Sequence, residues 1–228
     1  VESITEDFMM TLVLRNSGWK TVYLDEPLTE GLAPEGLKEY VTQRSRWCLG
    51  MMQIARSYVG PFARNNLRLR DRWSIIDAGL YWLSTFPFRL AGLVYPLCYW
   101  YFNVTVVNAT VADVIGFFGV YYAWVMLSMN SVARGMVIPV INDVSQILGA
   151  IPISRAAFTG LIQPKGHAFK VTAKGGDRSN IVIQWHMLAP YLAILILTLG
   201  ALFIGIFLDQ FAFNDAGAGK TVVLFWTL

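Results

Sequence analysis

From Met187 to Leu208 no charged side chain interrupts the chain. A helix crosses a bilayer with about 20 apolar residues, so this run is expected to span one. Residues 114–133 form a second such run, closed by Arg134. Residues 73–102 are long and aromatic-rich, and read as one tilted or Pro-kinked span or as two short ones broken near Pro87. Residues 219–228 begin another. Residues 136–163 are moderately apolar but carry Asn142, Asp143, Gln146 and Arg155, which suits an interfacial segment. The composition agrees: 55% of residues are hydrophobic and 14% charged, against about a quarter charged in soluble domains. Roughly four transmembrane helices are expected. A net charge of +3 is too small to argue for nucleic acid.

Basic residues concentrate at 56–72 and 165–178. The positive-inside rule places both stretches on the cytosolic side, with an even number of crossings between them. Cys48 and Cys98 show no metal-ligand spacing, and a disulfide is not expected in a reducing compartment. Two sequons, at Asn103 and Asn108, fall in an expected outside loop and are given no weight. Val1 opens inside folded-looking sequence and the last residues stop within an apolar run, so the chain reads as a fragment.

Residues 1–47 are mixed. Glu6 to Arg15 reads as a short helix, with Thr5 as its cap and Asn16-Ser17-Gly18 as its stop. Thr21 to Leu24 reads as a short strand, and Pro34-Glu35 as the start of a second helix. This order suits the end of an α/β domain. Residues 48–72 read as an amphipathic helix lying in the membrane interface.

Four places carry chemistry. Asp7, in Thr5-Glu6-Asp7, is a candidate general base, because a sugar hydroxyl attacks poorly until a carboxylate takes its proton. Glu6 beside it would strengthen proton binding by either carboxyl, if both are buried together. The plainer reading is acids in a first helical turn. In the QRSRW cluster, Gln43, Arg46 and Trp47 lie at i, i+3 and i+4 on one helix face. Guanidinium forms paired bonds to a diphosphate, and an indole offers a flat face to a pyranose; the plainer reading is a basic helix end with an interfacial Trp. At 164–186, Phe169, Val171, Thr172 and Lys174 with Gly175 and Gly176 suit a mobile lid, or else a plain cytosolic turn. Arg89 lies in an apolar run with Trp82 and Phe86 on its helix face and Tyr99 and Trp100 beyond. An ionisable residue there suggests a function, and aromatic rings suit a carbohydrate path; packing around one paired Arg explains the same pattern.

Together these residues resemble bacterial cellulose synthase catalytic subunits, processive family 2 glycosyltransferases. The resemblance runs through Thr5-Glu6-Asp7, Gly18-Trp19-Lys20, Pro34-Glu35, QRSRW at 43–47, Gly50-Met51-Met52-Gln53 and Phe169-Lys-Val-Thr-Ala-Lys174. It implies a GT-A-type α/β domain end at 1–47, transmembrane and interfacial helices at 73–163, a cytosolic gating loop at 164–186, and further spans at 187–228. It implies that Asp7 deprotonates the 4-hydroxyl of a growing glucan and that Gln43 and Arg46 hold the UDP diphosphate. Trp47 would stack on the acceptor, and Phe169, Thr172 and Lys174 would close over UDP-glucose. Trp82, Phe86, Arg89, Tyr99 and Trp100 would line a glucan channel.

The resemblance further implies that Glu35 tethers a regulatory arginine of a cyclic-di-GMP-binding domain downstream of this chain. It implies Mg²⁺ in the complete enzyme, with ligands outside the chain and no metal site within it. A periplasmic partner subunit, membrane lipid and a multi-pass place in the bacterial inner membrane are implied too; nucleic acid is not. The fragment alone is expected to be inactive. Rivals are a synthase of chitin, hyaluronan or β-1,3-glucan, which Phe-x-Val-Thr-x-Lys disfavours, and a transporter without chemistry, which leaves Asp7 and QRSRW without a role.

Overall fold

The computed structural model describes residues 3–102, 104, 109–133, 138–168, 172, 175, 182–205 and 218–227, with side chains omitted at 139, 140 and 218–221. The described residues are helical, with no strand among them. They divide into two compact units, one of Val1–Pro87 with Gly149–Gln184 and one of Phe88–Leu148 with Trp185–Leu228.

In the first unit, α1 spans Glu6–Asn16. Glu6 and Asp7 in its first turn and Arg15 in its last complement the helix dipole. It ends where Gly18 adopts φ +88, with the amides of Ser17, Gly18 and Trp19 bonding back to Val13, Arg15 and Leu14. Residues 19–35 then run without regular structure. Thr21 to Leu24, expected as a strand, has no second strand among the described residues to pair with, and an unpaired strand has nothing to satisfy its backbone.

Helix α2 spans Leu37–Ala55, with Gly36 in extended geometry at its N-cap. It therefore starts after Pro34-Glu35, the expected first turn. Val41, Cys48 and Met52 lie on its buried face. This face meets α6, Pro139–Ile162, where Gly149 lies against Val41, Gly160 lies against Met52, and the Cys48 thiol donates to the Ile153 carbonyl at 3.5 Å. Burial pushes the Cys48 thiol up to about 12, so it stays protonated and inert at neutral pH. Both cysteines are free.

The stretch 48–72, expected as one amphipathic helix, is instead the end of α2, a connector, and the start of α3, Leu69–Phe102. Arg72 explains the break. Its guanidinium donates to the carbonyls of Pro61, Ala63, Asn65 and Leu67 and to Asn65 Oδ1, at 2.6 to 3.2 Å. An arginine fork that satisfies so many carbonyls holds the connector in a fold that no helix would keep. Asn16 Oδ1 accepts from the Asn66 amide at 2.8 Å, which fastens the connector to α1, and Arg15 pairs with Asp71 in the first turn of α3.

The second unit takes the rest of α3, with Pro96 inside it, and a continuous helix from Val111 to Ala133. That helix comprises α4 (Val111–Asp113), a π-helical segment (Val114–Gly119) and α5 (Val120–Ala133). It opens on a capping box in which Thr110 and Asp113 each bond the other's amide, at 2.9 and 3.2 Å. Helices α7 (Trp185–Phe203) and α8 (Ala218–Thr227) complete the unit. Its core gathers Tyr99, Trp100, Ala201 and Val223, and the Trp100 indole donates to Thr227 Oγ1 at 3.0 Å. Among the described residues, Val111–Ala133 and Trp185–Phe203 are long and apolar enough to cross a membrane. Their side chains are largely uncovered by protein, as lipid-facing helices require.

Candidate transferase site

The Thr5-Glu6-Asp7 segment is docked on α2. Ser3, fully buried, donates from Oγ to the Gly50 carbonyl at 3.0 Å. The Ile4 amide donates to Gln53 Oε1 at 2.9 Å. Gly50 permits the approach: a Cβ there would come within 2.3 Å of Thr5 Oγ1, far inside van der Waals contact. Thr5 stands at the N-cap of α1, but its hydroxyl makes no cap bond. It pairs with Ser3 Oγ at 3.1 Å instead, and Ser3 Oγ also accepts from the Thr5 amide. The expected capping role is thus replaced by a docking role.

This docking surface continues the stripe that carries QRSRW. Positions 43, 46, 47, 50 and 53 follow helical spacing on α2. Gly50 lies four residues beyond Arg46, about 6 Å along the axis. Gln43 and Arg46 are half-buried, and Trp47 is 38% exposed. The Arg44 guanidinium lies 4.9 Å from the Trp47 ring centroid and 5.3 Å from that of Tyr40. Asp7 is exposed in the first turn of α1, and its carboxylate has no hydrogen-bond or ionic partner among the described residues. Glu6 is exposed as well, so the shared burial that would couple the two carboxyls is not met.

A pocket of about 790 Å³ opens beside this segment. Ser3, Ile4, Glu6 and Gln53 form one wall and Pro164 to His167 another. Of the residues expected to form a lid, Phe169, Val171, Lys174 and Gly176 lie outside the described residues. Thr172 is buried, its hydroxyl without a hydrogen-bond partner among the described residues. Gly175 sits at φ +71. Glu35 is exposed just ahead of α2. Among the described residues there is no cluster of three or more His, Cys, Asp or Glu. These residues do not fit a divalent metal.

The aromatic residues of α3 are packed. In the first unit Trp82 and Phe86 stack at 5.6 Å, and Phe86 is 2% exposed. In the second, Arg89 reaches Asp143 at 2.5 Å, while Tyr99 and Trp100 meet edge to face in the core.

Across residues 1–140 the chain matches the family described as glycosyl transferase family group 2. The chain belongs to this family. Docking at Gly50 brings the Asp7 turn to the QRSRW helix within the matched residues. Over its whole length the chain is 31% identical to "Cellulose synthase catalytic subunit [UDP-forming]" of Pseudomonas fluorescens (strain SBW25), covering 31% of that protein. It is 28% identical over 94% of its length to the protein of the same name from Komagataeibacter sucrofermentans, covering 28% of it. It is also 28% identical over 98% of its length to "Putative cellulose synthase 2" of Komagataeibacter xylinus, covering 15% of it. The chain thus spans less than a third of each of these relatives. With two apolar helices, the likeness points to association with a membrane.

Ser3, Gly50 and Gln53 were not singled out as site residues from the sequence. The signal was present for two of them: Gly50 and Gln53 continue the spacing of Gln43 and Arg46 along one helix face.

Proposed function

We propose that the complete protein is a processive glycosyltransferase that adds glucose from UDP-glucose to a β-1,4-glucan and passes the polymer across the bacterial inner membrane. The observation that carries this reading is the docking of the Asp7 turn on the face of α2 that bears Gln43 and Arg46. Asp7 takes the proton of the acceptor's 4-hydroxyl. The freed oxygen bonds to the anomeric carbon of the donor glucose as the bond from that carbon to the UDP oxygen breaks, which inverts the configuration. Gln43 and Arg46 hold the diphosphate and stabilise the charge that builds on leaving UDP. Trp47 presents a ring face to the acceptor sugar. Thr172, Phe169 and Lys174 are the residues proposed to meet the donor nucleotide.

The same reading makes residues 1–47 the end of a GT-A-type domain, with about four spans beyond it. Its glucan path is placed along α3 on that helix's aromatic content. Since Tyr99 and Trp100 are buried in the core, they would support the path from behind. Glu35, exposed before α2, is the proposed anchor for a cyclic-di-GMP-responsive arginine. The names of the relatives favour cellulose over chitin, hyaluronan or β-1,3-glucan.

The test is Asp7→Asn in the complete enzyme, supplied with radiolabelled UDP-glucose. Glucan formation should fall by about 10²–10⁴, while photolabelling by a UDP-glucose analogue persists. Wild-type product should be digested by a β-1,4-specific glucanase. Near-wild-type synthesis by the variant removes Asp7 from the mechanism, and absence of labelling from the wild type removes the transferase reading.

A further inference from the structure

We infer that Gln53 is a positioning residue for transfer: its carboxamide fixes the Asp7 turn against α2 by bridging Ile4 to Pro164. The side chain is 7% exposed, and both of its ends are engaged. Oε1 accepts from the Ile4 amide at 2.9 Å, and Nε2 donates to the Pro164 carbonyl at 2.8 Å. Ile4 lies three residues before Asp7; Pro164 is where the chain leaves α6. One side chain therefore joins segments 49 positions before it and 111 after it.

The chemistry of the two partners selects the residue. A backbone amide only donates, and a backbone carbonyl only accepts. The bridging group must accept at one end and donate at the other, across the width of a carboxamide. These partners also settle which way round the amide sits. Leucine fills the space without either bond. Ionised glutamate keeps the bond to Ile4 but turns a negative oxygen toward the Pro164 carbonyl. Protonated glutamate restores both bonds.

Asp7 itself is exposed, and among the described residues no hydrogen bond or ion pair holds its carboxylate, so its turn is placed by what lies behind it. Gln43 and Arg46 belong to α2 and do not depend on the bridge. Loss of the bridge should thus lower the rate of transfer and spare UDP binding. This rests on reading Asp7 as the base.

The experiment compares wild-type, Gln53→Leu and Gln53→Glu complete enzyme in kcat, UDP affinity and amide exchange. Misplacing a reacting group by about 1 Å costs up to 10²-fold. Gln53→Leu should lose on the order of tenfold or more in kcat with UDP affinity unchanged. The Ile4 amide should exchange faster in that variant. In Gln53→Glu, the rate relative to wild type should climb as pH falls and the buried carboxyl takes a proton. Glu6, Arg56, Tyr58, Lys165 and His167 face the same pocket and are common to both proteins, so the ratio isolates the substituted group. A flat ratio, an unchanged kcat in Gln53→Leu, or equal losses in kcat and UDP affinity would overturn the proposal. Failure of the wild type to make glucan would instead count against the transferase reading, and Ile4 exchange would still report on the bridge.

Discussion

Trp47 already carries a cation on its ring, because Arg44 lies over it and over Tyr40 one turn back. Such a contact is worth about 0.5–1 kcal/mol at an exposed site. It steadies the indole. In the proposed mechanism the remaining ring surface takes a sugar and the half-buried Arg46 holds phosphate. The two neighbours should thus separate in a titration. Arg46→Ala should weaken UDP binding by roughly 1.5–3 kcal/mol, the value of a hydrogen bond to a charged group. Trp47→Ala should leave UDP affinity near wild type and impair acceptor use. Equal losses of UDP affinity in both variants would contradict this division.

At the scale of elements, α6 contains a defect that another helix repairs. Pro152 has no amide hydrogen to give the carbonyl one turn back, that of Leu148. The Tyr191 hydroxyl of α7 donates to that carbonyl at 3.2 Å. Tyr191→Phe should therefore cost about 1 kcal/mol in denaturant or thermal unfolding. In a Pro152→Ala background, where the helix supplies its own donor, the same change should cost measurably less. Equal costs in both backgrounds would mean the hydroxyl does something else.

Elements built on periodicity were the legible ones. Helix α1, helix α2 and the two apolar spans announce themselves through spacing and length. Arg72 shows the limit. In the sequence it is one more basic residue of an amphipathic face; in the fold it is the hub of the connector that breaks that face. Hydrogen bonds from a side chain to distant carbonyls leave no period to read. The lone strand at Thr21 to Leu24 failed for a related reason, since local propensity forms no strand without a partner. The helix face shared by Gln43, Arg46, Gly50 and Gln53 was readable from its spacing. The bonds that Ser3 and Gln53 make were not, because their partners lie 47 to 111 residues away.

At the scale of the whole molecule, two solvents shape the chain. Phe117, Trp124, Leu127, Ile196 and Leu199 stay exposed on the two apolar helices, where a water-soluble protein would cover them. The first unit, by contrast, buries polar groups such as Ser3, Gln53 and Asp71 with hydrogen-bond partners. That unit is also interrupted, because Phe88–Leu148 belongs to the second. A truncated chain ending at Leu148 should thus expose the Cys48 face of α2, and the thiol should become reactive to maleimide. Protection equal to that of the longer chain would show that α6 is not what covers it.

Translation gives the interruption a direction. A ribosome adds residues at about 5–20 per second, so the Asp7 turn emerges well before Pro164. Gln53 waits through that interval with half of its carboxamide unanswered, while the apolar helix from Val111 to Ala133 is made. The Asp7 turn is therefore fully fastened only after the chain has produced a segment long and apolar enough to enter a bilayer.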